Sequence, residues 1–351
     1  VKSFLVKAMM TSEFFSDQLM RAASLFDSRL PDYIATLPAL AAIRQPSAWG
    51  MGLDEACNAV VAGGKRVRPA LALLASEALN VPLDQAMSIA MTIELFHNFT
   101  LIHDDIEDGD EMRRGRPTVW KRFGTDIAIN AGGYVHSLAF DRVLALRSSG
   151  VNSEGLAAIF SLLSRVSCRT HIGQALDISS RLDRSFSLFT YYRLVLHKTG
   201  FCLAFPLTAS AVLAGFSEVD VNRLDSLGRR FGLLFQIVDD LIDLTAAKGR
   251  GEVGSDIREG KRSFLVALSQ TILKPRDLNR LYDILDTPRE STDSLMIDEA
   301  MGLYSEFGVE KKARAILASI SSEVEQRVSC FPSKLRKTLI SFRDYLVGRC
   351  I

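Results

Sequence analysis

The chain has 351 residues, 48% hydrophobic and 24% charged, a composition that supports one large globular domain or two medium ones. Its 42 basic residues almost cancel 41 acidic ones, and a net charge of +1 argues against nucleic acid or an anionic membrane surface as a partner. Five scattered cysteines without a CxxC pair and five histidines without HxxxH or HExxH spacing argue against a disulfide framework and against zinc sites, and suit a reducing, cytoplasmic setting.

Taken in chain order, the N-terminal stretch "VKSFLVKAMMTSEFF" has neither a long apolar core nor a small-residue cleavage site, so no secretory signal is expected. Apolar residues at i, i+3 and i+4 predict helices over 68–80, 84–106, 125–147, 154–180, 186–216, 218–246, 263–273, 293–306, 308–329 and 333–347. No run of strand-like alternation stands out. Nine of the ten prolines fall between these segments or at their starts, and Pro206 is expected to kink or break its helix. Ser153 and Ser217, each followed by acids, read as helix N-caps. Residues 199–217 carry no charge and approach the length of a membrane span, but Pro206 and many small residues point to a buried central helix and no transmembrane segment. The expectation is a single all-α domain over 1–351, with N-terminal helices and an extension over 1–50 and the core from 51 onward.

Two acid clusters carry the chemistry. Asp104-Asp105-Ile106-Glu107-Asp108 and Asp239-Asp240-Leu241-Ile242-Asp243 both have the form DDxxD. At about 100° per residue, the first and last Asp of each lie only about 40° apart, one turn along one helix face. Such carboxylates repel one another unless a cation joins them. Oxygen ligands without His or Cys suit Mg²⁺, which keeps water and completes its shell with phosphate. Gln236 and Gly232 share the acidic face of the second helix, while Leu234, Ile237, Leu241 and Leu244 gather on its back; His97 shares the front of the first.

Basic segments accompany both clusters: "GGKRVRP" with Lys65, Arg66 and Arg68, "MRRGRP" with Arg113 and Arg114, "HKTG" with Lys198 and Thr199, and "GSDIREGKR" with Lys261. The first is not a Walker loop. Four such segments beside two Mg²⁺-type motifs predict a cavity that holds a polyanion.

In this order, GGKRVRP, HDDIEDGDEMRRGRPT, GQALD (173–177), KTG, FQIVDDLID and GSDIREGK resemble the trans-isoprenyl diphosphate synthases, the head-to-tail prenyltransferases of the farnesyl and geranylgeranyl diphosphate synthase type. The resemblance implies an all-α isoprenoid-synthase fold of antiparallel helices around a deep central cavity, usually as a homodimer. It implies that Asp104, Asp108 and Asp239 bind Mg²⁺, three ions with substrate present, with Asp105, Asp240 and Asp243 in support. Lys65, Arg68, His97 and Arg114 would hold isopentenyl diphosphate. Arg113, Lys198, Thr199, Gln236 and Lys261 would contact the allylic diphosphate or the cation formed from it. The chain departs from the pattern at "RGEVG": Gly251 stands where relatives often carry Lys, with Lys248 and Arg250 as nearby alternatives.

The implied chemistry needs no protein nucleophile, and no Ser–His or Cys–His arrangement is evident. Product length is expected to depend on Phe99, five residues before Asp104, with Phe96 and Thr100 beside it; the expected product is geranylgeranyl diphosphate, with farnesyl or longer diphosphates as alternatives. A class I terpene cyclase and a non-catalytic partner subunit are the rival readings. The first usually lacks the basic set of Lys65, Arg68 and Arg114, and the second commonly loses one acid motif.

Overall fold

The computed structural model describes residues 2–38, 40–245 and 253–349, with side chains from Phe15 onward. Among these residues the chain is almost entirely helical. It runs through α1 (Lys2–Ala35), α2 (Ala41–Gly50), α3 (Val67–Ala78) and α4 (Leu83–Glu107), then a hairpin of β1 (Met112–Arg113) and β2 (Arg116–Pro117). There follow α5 (Val119–Phe123), α6 (Thr125–Leu144), α7 (Ser153–Ser180), α8 (Leu188–Val195), a π-helical turn at Leu196–Gly200 and α9 (Phe201–Leu213). The remainder is α10 (Glu218–Ile242), α11 (Ser255–Arg258), α12 (Phe264–Ser269), α13 (Pro275–Leu285), α14 (Ser294–Glu306), α15 (Val309–Arg327) and α16 (Ser333–Gly348).

Two compact units emerge. One comprises Phe14–Ser164 and Phe205–Leu224; the other comprises Val1–Glu13, Arg165–Ala204 and Asp225–Ile351. All four passages of the chain between them fall inside helices, in α1, α7, α9 and α10.

The first unit is built on α4, which packs against α2, α3, α5 and α6. Ile89, Ala90, Met91, Ile93, Leu95, Phe96, Phe99 and Ile102 are all buried, so this helix is apolar around most of its circumference. Each fully buried Ile, Leu or Phe stabilises by roughly 1.5–3 kcal/mol. Its two ends reach solvent, and the C-terminal one carries Asp104, with Asp108 at the C-cap. A smaller core of Ile102, Val119 and Ala128, joined by Trp49, Ile106, Trp120 and Phe123, seats this end of α4.

In the second unit α12 is buried along its whole length and packs on α8 and α15; α15 in turn meets α14 and α16. Phe231 of α10 lies against Phe342 of α16, ring centroids 5.0 Å apart.

The expected helices are present, with corrections at their ends and breaks. Segment 186–216 forms one helical stretch, Leu188–Leu213, which is not broken at Pro206. The irregularity is the π-helical turn upstream, and Pro206 keeps its carbonyl satisfied by the Ser210 hydroxyl at 2.7 Å. Pro31 and Pro46 also lie inside helices rather than between them. Asn152, not Ser153, caps α7: its Oδ1 accepts from Gly155 N at 2.8 Å. Ser217 caps α10 as expected, accepting from Asp220 N at 3.2 Å. Helix α12 ends at Ser269, short of the predicted 273, and α13 and the β1–β2 hairpin arise where no element was expected. The continuous helical stretch Leu188–Leu213 is long and apolar enough to cross a membrane, yet 78% of its apolar window is buried within the protein, as a core helix would be. Cys57, Cys168, Cys202 and Cys330 are not joined in disulfides.

Candidate active site

In the first unit, the end of α4 presents its three motif aspartates differently. Asp104 and Asp108 are partly exposed, one turn apart, with Asp108 N donating to Asp104 O at 2.8 Å. Asp105 points inward and is 3% exposed. Its carboxylate accepts from Arg113 Nε at 2.6 Å. Burial pushes Asp105 up to about 6 despite the neighbouring Arg113 guanidinium.

Arg113 reaches Asp105 because the segment after the acid motif folds into the hairpin, where Arg113 faces Arg116 and Met112 faces Pro117. The two-residue loop is Arg114-Gly115, with φ of +53° and +74°. This is the left-handed geometry that a tight hairpin requires, and a non-glycine there stores strain of about 1–2 kcal/mol. Arg114 extends back to the GGKRVRP loop, where its Nη1 donates to Ala62 O at 3.4 Å. Gly64 makes room for it: a Cβ there would lie 2.5 Å from Arg114 Nη2.

That loop is held by Arg66, the one basic residue of GGKRVRP that is buried. It pairs with Asp27 at 2.9 Å and Glu94 at 2.5 Å, and donates to Met51 O at 2.9 Å. Lys65 is exposed beside it, and Arg68 lies in the first turn of α3. Arg68 Nη1 sits 3.1 Å from Nε2 of His97. Burial first, then Arg68, Arg114, Arg113 and Arg66, push His97 well below the ordinary histidine range, so its ring is neutral and accepts from Arg68.

This has a consequence for stability. In the unfolded chain His97 gains a proton below about pH 6.5, whereas in the folded protein it does not. Stability is therefore lost as pH falls through that value. His97→Gln, which keeps an acceptor but cannot titrate, is expected to remove this loss. The contribution is the difference between wild type and variant in urea unfolding at pH 8 and pH 5.5, with a slope of at most about 1.4 kcal/mol per pH unit. A difference that does not widen toward acid contradicts the neutral assignment. The raised aspartates act with opposite sign, but equally in both proteins.

Phe99 and Phe96 lie on α4 above Asp104, both buried. Their rings meet edge to face at 5.5 Å, and Phe99 also lies 4.5 Å from His136 of α6 and 5.0 Å from His103. Thr100 is partly exposed and turns its hydroxyl back to His97 O at 2.7 Å.

In the second unit, Asp239 is the partly exposed member of its motif, with Arg349 Nη2 at 3.5 Å. Asp240 is buried and accepts from Tyr191 Oη at 2.9 Å, Phe264 N at 2.7 Å and Gln236 Nε2 at 3.0 Å. Burial and nearby Asp256 push it up to about 7, against those three donors. Asp243 lies just past the end of α10, where it accepts from Ser255 Oγ at 2.6 Å and Asp256 N at 2.9 Å, capping α11. Lys261 follows α11 and pairs with Asp256 and Glu259. Lys248, Arg250 and Gly251 lie outside the described residues.

The π-helical turn carries Lys198 and Thr199. Lys198 Nζ bonds Asp177 of the GQALD segment at 2.5 Å, and Thr199 Oγ1 donates to Gln236 Oε1 at 3.4 Å. Thr199, Gln236, Asp240 and Tyr191 thus form one hydrogen-bonded chain. Glycines hold the turn from both sides: a Cβ on Gly173 would lie 2.3 Å from Lys198 N, and one on Gly232 would lie 2.4 Å from Gly200 Cα. Gly173→Ala and Gly232→Ala are each expected to destabilise by about 1–3 kcal/mol in denaturant unfolding, because backbone must shift. An unchanged midpoint in both would show that the turn is not clamped.

Among the described residues no group of three or more His, Cys, Asp or Glu side chains converges to hold a metal by itself. Within each motif the partly exposed carboxylates offer one or two oxygen ligands while the others are engaged inside the protein. That donor set fits Mg²⁺, which completes its shell with water and phosphate, and does not fit zinc. Tyr191 and Trp49 lie outside every motif, while Arg66 and Asp177 lie inside motifs, their roles set by Asp27 and Glu94 for the first and Lys198 for the second. Tyr191 had a signal in lying two helical turns before Lys198; Trp49 engages partners distant in sequence.

Residues 51–303 match the polyprenyl synthetase family model. The chain belongs to the polyprenyl synthetase family. It is 34% identical over 293 residues to a short chain isoprenyl diphosphate synthase of Methanothermobacter thermautotrophicus, covering 83% of this chain and 88% of that protein. It is also 34% identical over 236 residues to a geranylgeranyl diphosphate synthase of Sulfolobus acidocaldarius, covering 67% and 71%. Among solved structures, a geranylgeranyl pyrophosphate synthetase of Pyrococcus horikoshii superposes with a TM-score of 0.82 at 29% identity, covering 95% of this chain and 98% of that one. As a polyprenyl synthetase the chain is a prenyltransferase with the all-α fold of this family.

Proposed function

We propose that this polyprenyl synthetase condenses isopentenyl diphosphate with an allylic diphosphate to give geranylgeranyl diphosphate. The observation that carries the reading is the division of labour within both DDxxD motifs: partly exposed carboxylates at Asp104, Asp108 and Asp239, with Asp105, Asp240 and Asp243 tied to the surrounding protein.

In this reading Asp104, Asp108 and Asp239 hold Mg²⁺, three ions when substrate is bound. The ions supply positive charge to the allylic diphosphate as its C–O bond breaks. Arg113 and Lys261 add cationic donors to the same leaving group, and Lys198 and the Thr199–Gln236 pair serve the allylic cation. Lys65, Arg68, His97 and Arg114 hold isopentenyl diphosphate, whose double bond attacks the cation before a proton is lost to the released diphosphate. A neutral His97 suits this role, because it receives from Arg68 and leaves the arginine charge undivided for phosphate. Apolar helix flanks exclude the water that would quench the cation. The 1–351 chain acts as one catalytic domain, in the cytoplasm, as a homodimer.

The product assignment rests on Phe99 and on the names of the Sulfolobus and Pyrococcus relatives. The test is incubation with labelled isopentenyl diphosphate, each allylic primer and Mg²⁺, followed by chain-length analysis. A dominant twenty-carbon product is expected. Turnover without isopentenyl diphosphate would instead indicate a cyclase, and no turnover with any primer a non-catalytic subunit.

A further inference from the structure

We propose that Trp49 is a positioning residue for diphosphate binding, locking the 112–117 hairpin in the orientation that delivers Arg113 and Arg114; the proposal rests on the function proposed above. The hairpin's own ladder is short, extended by one further bond from Thr118 N to Glu111 O at 2.9 Å. Each strand has two residues, and an isolated two-stranded hairpin is marginal in water. Of its two pairs, the one beside the loop sets Arg113 directly opposite Arg116, and like charges in that position push strands apart.

Trp49, at the end of α2, resolves this conflict. Its indole lies between two guanidiniums, with Arg116 Cζ 3.4 Å from the ring centroid and Arg122 Cζ 3.8 Å. Both contacts are close enough for cation–π attraction, strongest on Trp. The indole Nε1 also donates to Pro117 O at 2.8 Å, on the same strand as Arg116. Arg116 Nη1 is buried without a hydrogen-bond partner, so the ring face provides a favourable contact in its place. Arg122 is further held by Glu55 at 2.8 Å.

With Arg116 drawn onto the indole, Arg113 is left to Asp105, and Arg114 at the tip is aimed at Ala62 and Gly64. One cleft is lined together by Trp49, Asp105, Arg113, Arg114 and Arg116. Trp120 fastens only the near end of the segment, through Asp110 O at 2.9 Å. Trp49 fastens the far strand from a position 68 residues away.

The test compares wild type, Trp49→Phe, Trp49→Leu, Arg116→Leu and the double variant Trp49→Leu/Arg116→Leu. Binding of inorganic pyrophosphate with Mg²⁺ is measured by calorimetry, alongside KM, kcat and thermal unfolding. Trp49→Leu is expected to raise the pyrophosphate Kd and the diphosphate KM about 10-fold, with a smaller fall in kcat. Trp49→Phe, which keeps a ring face, recovers most of the loss. The double variant is no worse than Trp49→Leu, since the guanidinium acts through the ring. Arg116→Leu leaves the indole and its Nε1 bond in place, so it carries the test should Trp49→Leu fail to fold. Wild-type pyrophosphate affinity in Arg116→Leu, or multiplying effects in the double variant, overturns the proposal. Absence of Mg²⁺-dependent pyrophosphate binding in the wild type defeats the functional reading itself, a result distinct from any failure confined to Trp49.

Discussion

Asp104→Ala and Asp239→Ala each lower turnover by about 10³-fold or more, while leaving the fold as stable as before or slightly more so. The reasoning begins with their surroundings. Both carboxylates are partly exposed, unlike the buried Asp105, Asp240 and Asp243. Asp104 and Asp108 stand one turn apart on α4, where two like charges destabilise a helix by a few tenths of a kcal/mol. Removing one relieves that repulsion and, in the function proposed above, removes a ligand for the charge that neutralises the departing diphosphate. Loss of such charge stabilisation costs roughly 4 kcal/mol or more of barrier, and each 1.4 kcal/mol is tenfold. Steady-state rates across a Mg²⁺ titration, with thermal unfolding on the same samples, measure both sides.

The inward aspartates give the converse result. Asp240→Ala strands Tyr191 Oη and Phe264 N in the interior, and Asp105→Ala strands Arg113, so each is expected to cost about 1–3 kcal/mol of stability. Near-normal turnover in Asp104→Ala or Asp239→Ala contradicts the metal assignment.

Phe99→Ala shifts the product from twenty carbons to longer chains. Phe99 is 4% exposed and sits against Phe96, His103 and His136, so its ring is fixed rather than free to swing aside. Truncation removes the ring and leaves a space that neighbouring rings cannot fill without leaving their own contacts. A growing prenyl tail is an apolar ligand of the right kind for that space. The same truncation costs about 3–5 kcal/mol of stability, so the assay belongs well below the variant's unfolding midpoint. Product chromatography across a time course reads the outcome. Unchanged length removes Phe99 as the floor and leaves it a core aromatic.

Legibility in the sequence follows physical range. Helix α4 was readable because its apolar positions repeat along one stretch of chain, and the DDxxD spacing placed Asp104 and Asp108 on one face by helical geometry. The N-cap at Ser217 was readable because the partner lies three residues on. At α7 the same local logic erred by one residue, since Asn152 and Ser153 are both good caps and only backbone geometry chooses. Pro206 was expected to kink or break its helix; it does not break it, because the missing donor affects only one turn and α9 continues around it. The π-helical turn has no comparable local signature; it is held by Gly173 and Gly232 from helices far along the chain.

The amino-acid order alone determined that two magnesium-type acid motifs exist, that basic segments accompany them and that helices carry them, because each is a matter of residue type at short spacing. Tertiary structure decided which carboxylate of each motif turns inward, that Arg66 serves the protein while Arg113 turns to Asp105 and Arg114 to the GGKRVRP loop, and that Trp49 belongs with them. Those outcomes depend on what covers a given helix face. The residues that cover it lie tens of positions away, where only packing brings them together.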